Sequence, residues 1–424
     1  MAEKFLLKRV GLENSTSLSV YEKTGGYQTI KKCLKLEPQK IIEEVKASGL
    51  RGLGGAGFPT GMKWGFIPKD ITPKYLVCNA DEGEPGTFKD RILMENDPHL
   101  LIEGIMIANF AVGATTAYIF IRGEFFDATE SVQAAINEAQ EKKYLGKNIF
   151  GSDFSLNIYV HSGAGAYICG EETALLEALE GKRGLPRVKP PFPAIKGLFG
   201  KPTVINNVET LCSVTLIMEN GAKWYKGFGT EKSPGIKLFP ISGHVNKPGL
   251  YEMPFGTSLR TLIYDCAGGI RGGRKLKGII PGGSSSAILT PDDLDTTMDF
   301  DSLKAKGSML GTASVIAMDD TVDMVDIAHN VMHFYAEESC GQCTPCREGT
   351  MWSYQILDRF VHNEGTMKDL NTLKDIAKNM AGNTLCALAD GAAGPLNAFV
   401  TKYEEDFLKH IKEDRVKPAP IIMR

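Results

Sequence analysis

The stretch ESCGQCTPCREG, residues 338–349, sets Cys340, Cys343 and Cys346 at intervals of three. Two residues between cysteines let a tight loop aim successive thiolates at one centre, the arrangement used to hold iron–sulfur clusters. Three thiolates leave such a site incomplete, and Cys386, in NTLCALADG, is the one cysteine downstream of the triplet. A cluster held by four thiolates is an anion. Arg347 and the N-terminus of a helix expected to begin near Glu348 would supply a compensating positive field. The competing reading is structural zinc, which more often shows two separated C-x2-C pairs or a histidine ligand; His333 and His362 stand outside any such spacing. Cys33, Cys78, Cys169, Cys212 and Cys266 are scattered and read as inert, mostly buried thiols.

Two glycine loops carry a second kind of chemistry. Gly52-Leu53-Gly54-Gly55-Ala56-Gly57 satisfies G-x-G-x-x-G, but the helical pattern PQKIIEEVKASGL precedes it where a dinucleotide fingerprint requires a strand. Without Cβ atoms the backbone can still approach a ligand closely and offer N–H groups to phosphate; the alternative is a set of plain turns. The second loop follows a strand, NIYVHS, and runs through GAGAYICGEET into the helical ALLEALEG, which puts backbone donors where a nucleotide phosphate could sit. Glu171 and Glu172 at that helix start either stabilise the helix dipole or face ribose hydroxyls, since they would repel a phosphate.

The elements that must position these groups follow from pattern. Alternating strands and helices with glycine loops at their junctions predict an α/β domain over residues 1–235. Turn sequences such as Lys247-Pro248-Gly249 and Phe255-Gly256-Thr257 separate short β-rich runs over 236–330. MWSYQILDRFVHN, NTLKDIAKNMAG and PLNAFVTKYEEDFLKHI predict a helical domain over 331–424. The charge-free run 104–121 has the length of a membrane span. It reads instead as a buried helix followed by a strand, with Asp97 as N-cap, Pro98 at the first helical position, Gly113 as the stop and TAYIFI as the strand. A formal charge of −3 without a basic block disfavours a polynucleotide partner. Glu3 and Lys4 interrupt the start of the chain where a signal peptide would turn apolar, so a cytoplasmic chain is expected.

Six ordered blocks, GLRGLGGAGFPTGMKW (49–64), NADEGEPGTFKDR (79–91), GAGAYICGEETALLEALEGKRG (163–184), KPPFPA (189–194), PTVINNVET (202–210) and ESCGQCTPCREG, closely resemble the flavin-containing, NADH-oxidising subunit of respiratory complex I. One departure is Leu53, where the family usually has arginine. The resemblance implies a Rossmann-like FMN- and NADH-binding domain, a β-grasp (SLBB-like) domain and a helical [4Fe–4S] domain whose ligands are Cys340, Cys343, Cys346 and Cys386. It implies an FMN pocket built from Gly52, Gly54, Gly55, Gly57, Lys63, Asn79, Asp81, Glu82, Gly170, Glu171, Asn206 and Asn207. NADH would be met by Phe58, Phe66 and Phe192 around the adenine, with Lys189 nearby and Glu84 and Glu172 along its path. By residue type alone, those phenylalanines read as core. The implied reaction is hydride transfer from NADH to FMN and then single-electron transfer to the cluster, with no side chain as general acid or base. The implied partners are a small thioredoxin-like [2Fe–2S] subunit and a multi-cluster iron–sulfur subunit, on the cytoplasmic side of the inner membrane. The diaphorase subunit of an NAD-linked hydrogenase or formate dehydrogenase is the nearest alternative, and a zinc-stabilised nucleotide-binding scaffold a more distant one.

Overall fold

Residues 4–411 are described by the computed structural model, and the chain divides into two compact units between Asp320 and Thr321. Residues 1–3 and 412–424, including Glu3 of the N-terminal reading, lie outside the described residues.

In the first unit, β1 (Tyr75–Ala80), β2 (Thr116–Ile121), β3 (Asn157–Ser162) and β4 (Thr203–Asn207) form a parallel sheet in the order β3-β2-β1-β4. Cys78 on β1 pairs with Ile119 on β2 and with Asn206 on β4. The chain first adds strands to one side of β1 and then crosses to the other, so the order reverses between β1 and β4. In open α/β sheets, the crevice at the carboxyl ends of the strands flanking such a reversal is where ligands bind.

The charge-free run forms the helix Pro98–Val112 and then β2, and Gly113 at φ 71° ends the helix. Burial of nearly every residue of that helix inside the unit explains its composition, and no helix among the described residues is long and apolar enough to cross a membrane. Asp97 occupies the N-cap position without capping. Its carboxylate instead pairs with Arg9 at 3.0 Å, because a buried anion is held best by a cation.

A second sheet follows: β5 (Ile236–Gly243), β6 (Gly249–Pro254), β7 (Leu276–Ile280) and β8 (Val315–Asp319), in the order β6-β5-β8-β7. The central pair is parallel and the outer pairs are antiparallel, which is the β-grasp arrangement. Glu252 on β6 accepts the N–H groups of Phe5, Leu6 and Leu7, each at 2.9 Å, so the start of the described chain is tied to this sheet.

The second unit contains the helices Met324–Glu338, Thr344–Val361, Met367–Met380, Leu388–Lys402 and Glu404–Lys409. The first of these went unread in the sequence, and it runs unbroken across the expected boundary at 330/331. The last expected helix is two helices, and Pro395 lies inside the first of them rather than at its start. Proline costs an interior hydrogen bond, but burial of Leu388, Ala389, Ala392, Ala393 and Leu396 on one side keeps the helix together.

Candidate functional site

The first glycine loop follows the helix Pro38–Ser48, which ends at Gly49, and precedes the helix Thr60–Gly65. Gly52 N–H donates to the Phe58 carbonyl at 2.8 Å, and Thr60 N–H to the Leu50 carbonyl at 2.9 Å, so the loop is a closed finger. The glycines differ in what they do. A Cβ on Gly54 would lie 2.9 Å from the Cβ of Asn207, and Gly55 sits at φ 133°. Gly57 is at φ 65° and packs on the Phe300 ring, which Arg51 covers from 3.8 Å. Leu53 is buried in the core, and its N–H donates to Thr210 Oγ1 at 2.9 Å.

This finger faces residues delivered by the ends of β1 and β4. Asn79, on β1, donates from Nδ2 to the Gly170 carbonyl at 2.8 Å and accepts the N–H of Asp81. The second glycine loop is thereby fastened to the carboxyl end of β1. Asn206 on β4 accepts the Trp64 indole N–H at 2.8 Å, and Asn207 caps the helix Val208–Asn220. Half-buried Lys63 donates to the Ile205 carbonyl at 3.1 Å, and burial lowers its pKa. An ammonium has three donors, so this cation can meet an additional oxygen. Glu82 accepts the N–H groups of Asp90 and Arg91 at the start of the helix Lys89–Asn96. Burial, and secondarily the charge of Asp90, pushes its pKa up to about 8.

Glu171 is the N-cap of the helix Glu172–Leu179 and accepts from the backbone of Thr173 and Ala174. Lys189 bridges Glu171 and Glu172 at 2.8 and 3.0 Å. Glu84 accepts hydrogen bonds from the Tyr167 hydroxyl (2.6 Å) and from the Ser285 N–H (2.7 Å) and hydroxyl (2.6 Å), in the β-grasp region. Phe58, Phe66 and Phe192 are 43%, 54% and 57% exposed, and the first two rings lie 6.3 Å apart. Reading them as core is therefore wrong: they sit on rims of loops and short helices, where no sheet or helix face covers them. Tyr167, Ser285 and Trp64 have no local sequence signal, because each acts through hydrogen bonding to a distant segment.

In the second unit, the helix after the cysteine loop starts at Thr344, with Cys343 at its N-cap and Pro345 just inside. The expected start near Glu348 is one turn late; proline in the first turn, where no N–H is needed, allows the earlier start. Cys346 is buried in that first turn and lies 3.2 Å from the Ser339 hydroxyl. Burial raises its thiol pKa, and the hydrogen bond with Ser339 opposes that rise. The Leu385 N–H points at Cys343 Sγ from 3.4 Å, which brings the segment carrying Cys386 to the triplet. Among the described residues, no three His, Cys, Asp or Glu side chains converge at the spacing of a single metal ion. Of the scattered cysteines, Cys266 is half-exposed and the other four are buried.

Fold and site define a nucleotide-binding α/β domain at a strand-order reversal, a β-grasp module and a four-cysteine helical unit. Three family models match in that order: the Nuo51 FMN-binding domain at residues 45–216, the SLBB domain at 237–316, and the NADH-ubiquinone oxidoreductase-F iron-sulfur binding region at 326–410. The F 2 polypeptide of the NADH-quinone oxidoreductase of Rhizobium meliloti (strain 1021) is 54% identical over 417 residues, 98% of this chain and 99% of that protein. The F polypeptide of the same enzyme in Streptomyces coelicolor is 50% identical over 94% of this chain and 89% of its own. The crystal structure of an NAD+-reducing [NiFe]-hydrogenase in the air-oxidized state matches with TM-score 0.83 and 35% identity, over 97% of this chain and 67% of that one.

The chain belongs to the family of NADH-quinone oxidoreductase F polypeptides. It is an oxidoreductase with FMN and a [4Fe–4S] cluster as cofactors and NADH as substrate. The iron–sulfur match decides against zinc. The finger that admits no Cβ at Gly54, opposite Asn207 and the Lys63 ammonium, suits a phosphate-bearing ligand, and the four-cysteine unit suits the cluster.

Proposed function

We propose that the crevice between the glycine finger and the carboxyl ends of β1 and β4 holds FMN, with NADH over it, in a polypeptide that feeds electrons into complex I. The observation that carries this reading is the convergence of the finger, Asn79, Asn206, Asn207 and the Gly170 loop at the strand-order reversal. FMN, when bound, accepts hydride from NADH and can release electrons singly to an iron–sulfur cluster.

The chain's own residues bind and orient. Backbone N–H groups of residues 54–57 and the Lys63 ammonium receive the phosphate-bearing ligand. Asn79, Asp81, Glu82 and Gly170 shape the wall, and Glu171 fixes the second loop as its cap. Phe58, Phe66 and Phe192 offer exposed rings to an adenine, while Glu84 and the Glu172–Lys189 pair meet the remainder of the dinucleotide. No side chain acts as general acid or base at the nicotinamide. Cys340, Cys343, Cys346 and Cys386 are the cluster ligands. The domains responsible are residues 1–235, 236–330 and 331–424, with the helix Met324–Glu338 spanning the second boundary. The partners are a thioredoxin-like [2Fe–2S] subunit and a multi-cluster iron–sulfur subunit, and the location is the cytoplasmic face of the inner membrane, reached through the complex.

A diaphorase role in a hydrogenase is supported by the 0.83 TM-score, but the NADH-quinone oxidoreductase relatives are more identical and are spanned nearly end to end. The deciding experiment is anaerobic addition of NADH to flavin-loaded protein assembled with its [2Fe–2S] partner. The flavin band should bleach and ferricyanide should be reduced without any membrane component. A flavin that stays oxidised would overturn the reading.

A further inference from the structure

Beneath the Asn207 side of the crevice lie four ionisable side chains, Lys89, Asp90, Glu209 and Lys237, each no more than 2% exposed. Lys89 Nζ is 2.8 Å from Asp90 Oδ1 and 3.1 Å from Glu209 Oε2. Lys237 Nζ reaches the same Glu209 oxygen at 2.6 Å, and Leu238 N–H donates to the other at 2.8 Å. The quartet holds two cations and two anions and is neutral as a set. It meets the crevice at Asn207, whose Nδ2 donates to Asp90 Oδ2 at 2.6 Å and whose Oδ1 accepts the Glu209 N–H at 3.0 Å and faces Lys89 Nζ at 3.4 Å.

Three of these charges belong to the α/β region. The fourth, Lys237, is the second residue of β5, in the β-grasp region. Burial lowers the Lys237 pKa to about 8, which leaves it a cation at neutral pH. A buried charge that loses one partner is strongly destabilised, whereas a balanced set is tolerated.

We infer that Lys237 is a positioning residue for the flavin site: as the second cation of the quartet, it holds Asn207 in place and sets the electrostatic field at the carboxyl ends of β1 and β4. This rests on the assignment of Asn207 to the FMN crevice proposed above. Without Lys237, Asp90 and Glu209 share one lysine, and a net negative charge lies buried under the crevice. Such a charge opposes both an anionic phosphate ligand and the addition of electrons to whatever is bound.

The test uses the assembled NADH-oxidising complex, with FMN removed and restored. FMN affinity is read by fluorescence quenching, and the flavin midpoint potential by spectroelectrochemical titration. Lys237→Met should weaken FMN binding about tenfold and lower the potential, while Lys237→Arg should restore both. Glu209→Gln removes an anion instead and should move the potential upward, a reversal of sign that a merely structural role would not produce. If Lys237→Met fails to fold, the opposed behaviour of Glu209→Gln and Lys237→Arg carries the test. Unchanged affinity and potential in Lys237→Met, or shifts of the same sign in Lys237→Met and Glu209→Gln, overturn the inference. Asn207→Ala separates the two levels: if it weakens FMN binding while Lys237→Met does not, the crevice assignment stands and the field effect falls. If Asn207→Ala leaves FMN binding unchanged, the assignment itself falls.

Discussion

The cluster region and the flavin region solve the problem of gathering functional groups in opposite ways. Three of the four proposed cluster ligands lie within seven residues, on a loop and the first turn of one helix, and an N–H to sulfur contact brings in the segment of the fourth. The proposed flavin crevice draws on segments near residues 52, 79, 170 and 206, which are brought together by the placing of β4 beside β1 and by hydrogen bonds such as Asn79 to Gly170 and Leu53 to Thr210. A local site depends on its ligands one by one. A site made by topology depends on the hydrogen bonds that pin each segment, and much of its chemistry rests on side chains that touch no ligand.

The sharpest break of this contrast is Cys386→Ser. It should abolish the reduced-cluster EPR signal and most of the bound iron while FMN content stays near wild type; retention of the signal would remove Cys386 from the ligand set. Next in size is Gly54→Ala, whose new methyl must displace Asn207. Overpacking of about 1–3 kcal/mol corresponds to FMN binding weakened by about tenfold or more, with iron content unaffected, measurable by flavin fluorescence on dilution. Equal losses of flavin and iron would show that the two regions are not independent.

Glu172→Gln should raise kcat/KM for NADPH relative to NADH, because a carboxylate near a ribose opposes the added phosphate. Lys189, 3.0 Å away, already offsets part of that charge, so the change should be on the order of tenfold or less. An unchanged ratio in flavin-replete protein would withdraw the assignment.

A further contrast concerns pH. Glu82 has its pKa raised to about 8 in the fold from an ordinary value of 4.5. A raised folded pKa favours the native state fully below the unfolded value, and that contribution is lost as pH rises toward 8. Glu82→Gln, neutral throughout and able to accept one of the two backbone donors through its single amide oxygen, should therefore show a smaller fall in Tm between pH 5 and pH 8 than the wild type. Parallel Tm curves would mean that Glu82 is ionised across that range.

What the sequence disclosed follows the same divide. The Pro98 start, the Gly113 stop and the TAYIFI strand are local signals, and each is met at its position in the fold; the cysteine spacing is a local signal too. Glu209 and Lys237 lie in different predicted domains, and the pairing of Asp90 with Asn207 spans 117 residues, so no periodicity could announce them. The exposed phenylalanines were misjudged because residue type reports average burial, whereas a rim position is set by what the neighbouring loops leave uncovered. The helix Leu388–Lys402 was cut short because proline is a strong local stop that tertiary packing here overrides.

The grip of Glu252 on Phe5, Leu6 and Leu7 has a consequence for the order of events at the ribosome. The acceptor carboxylate is made 245–247 residues after the donors it captures. At elongation rates of about 5–20 residues per second, Phe5, Leu6 and Leu7 wait roughly ten to fifty seconds for their partner. During that interval the parallel sheet can assemble from β1 to β4, since all four strands emerge before β6. Phe5, Leu6 and Leu7 are thus locked down by a partner made long after them.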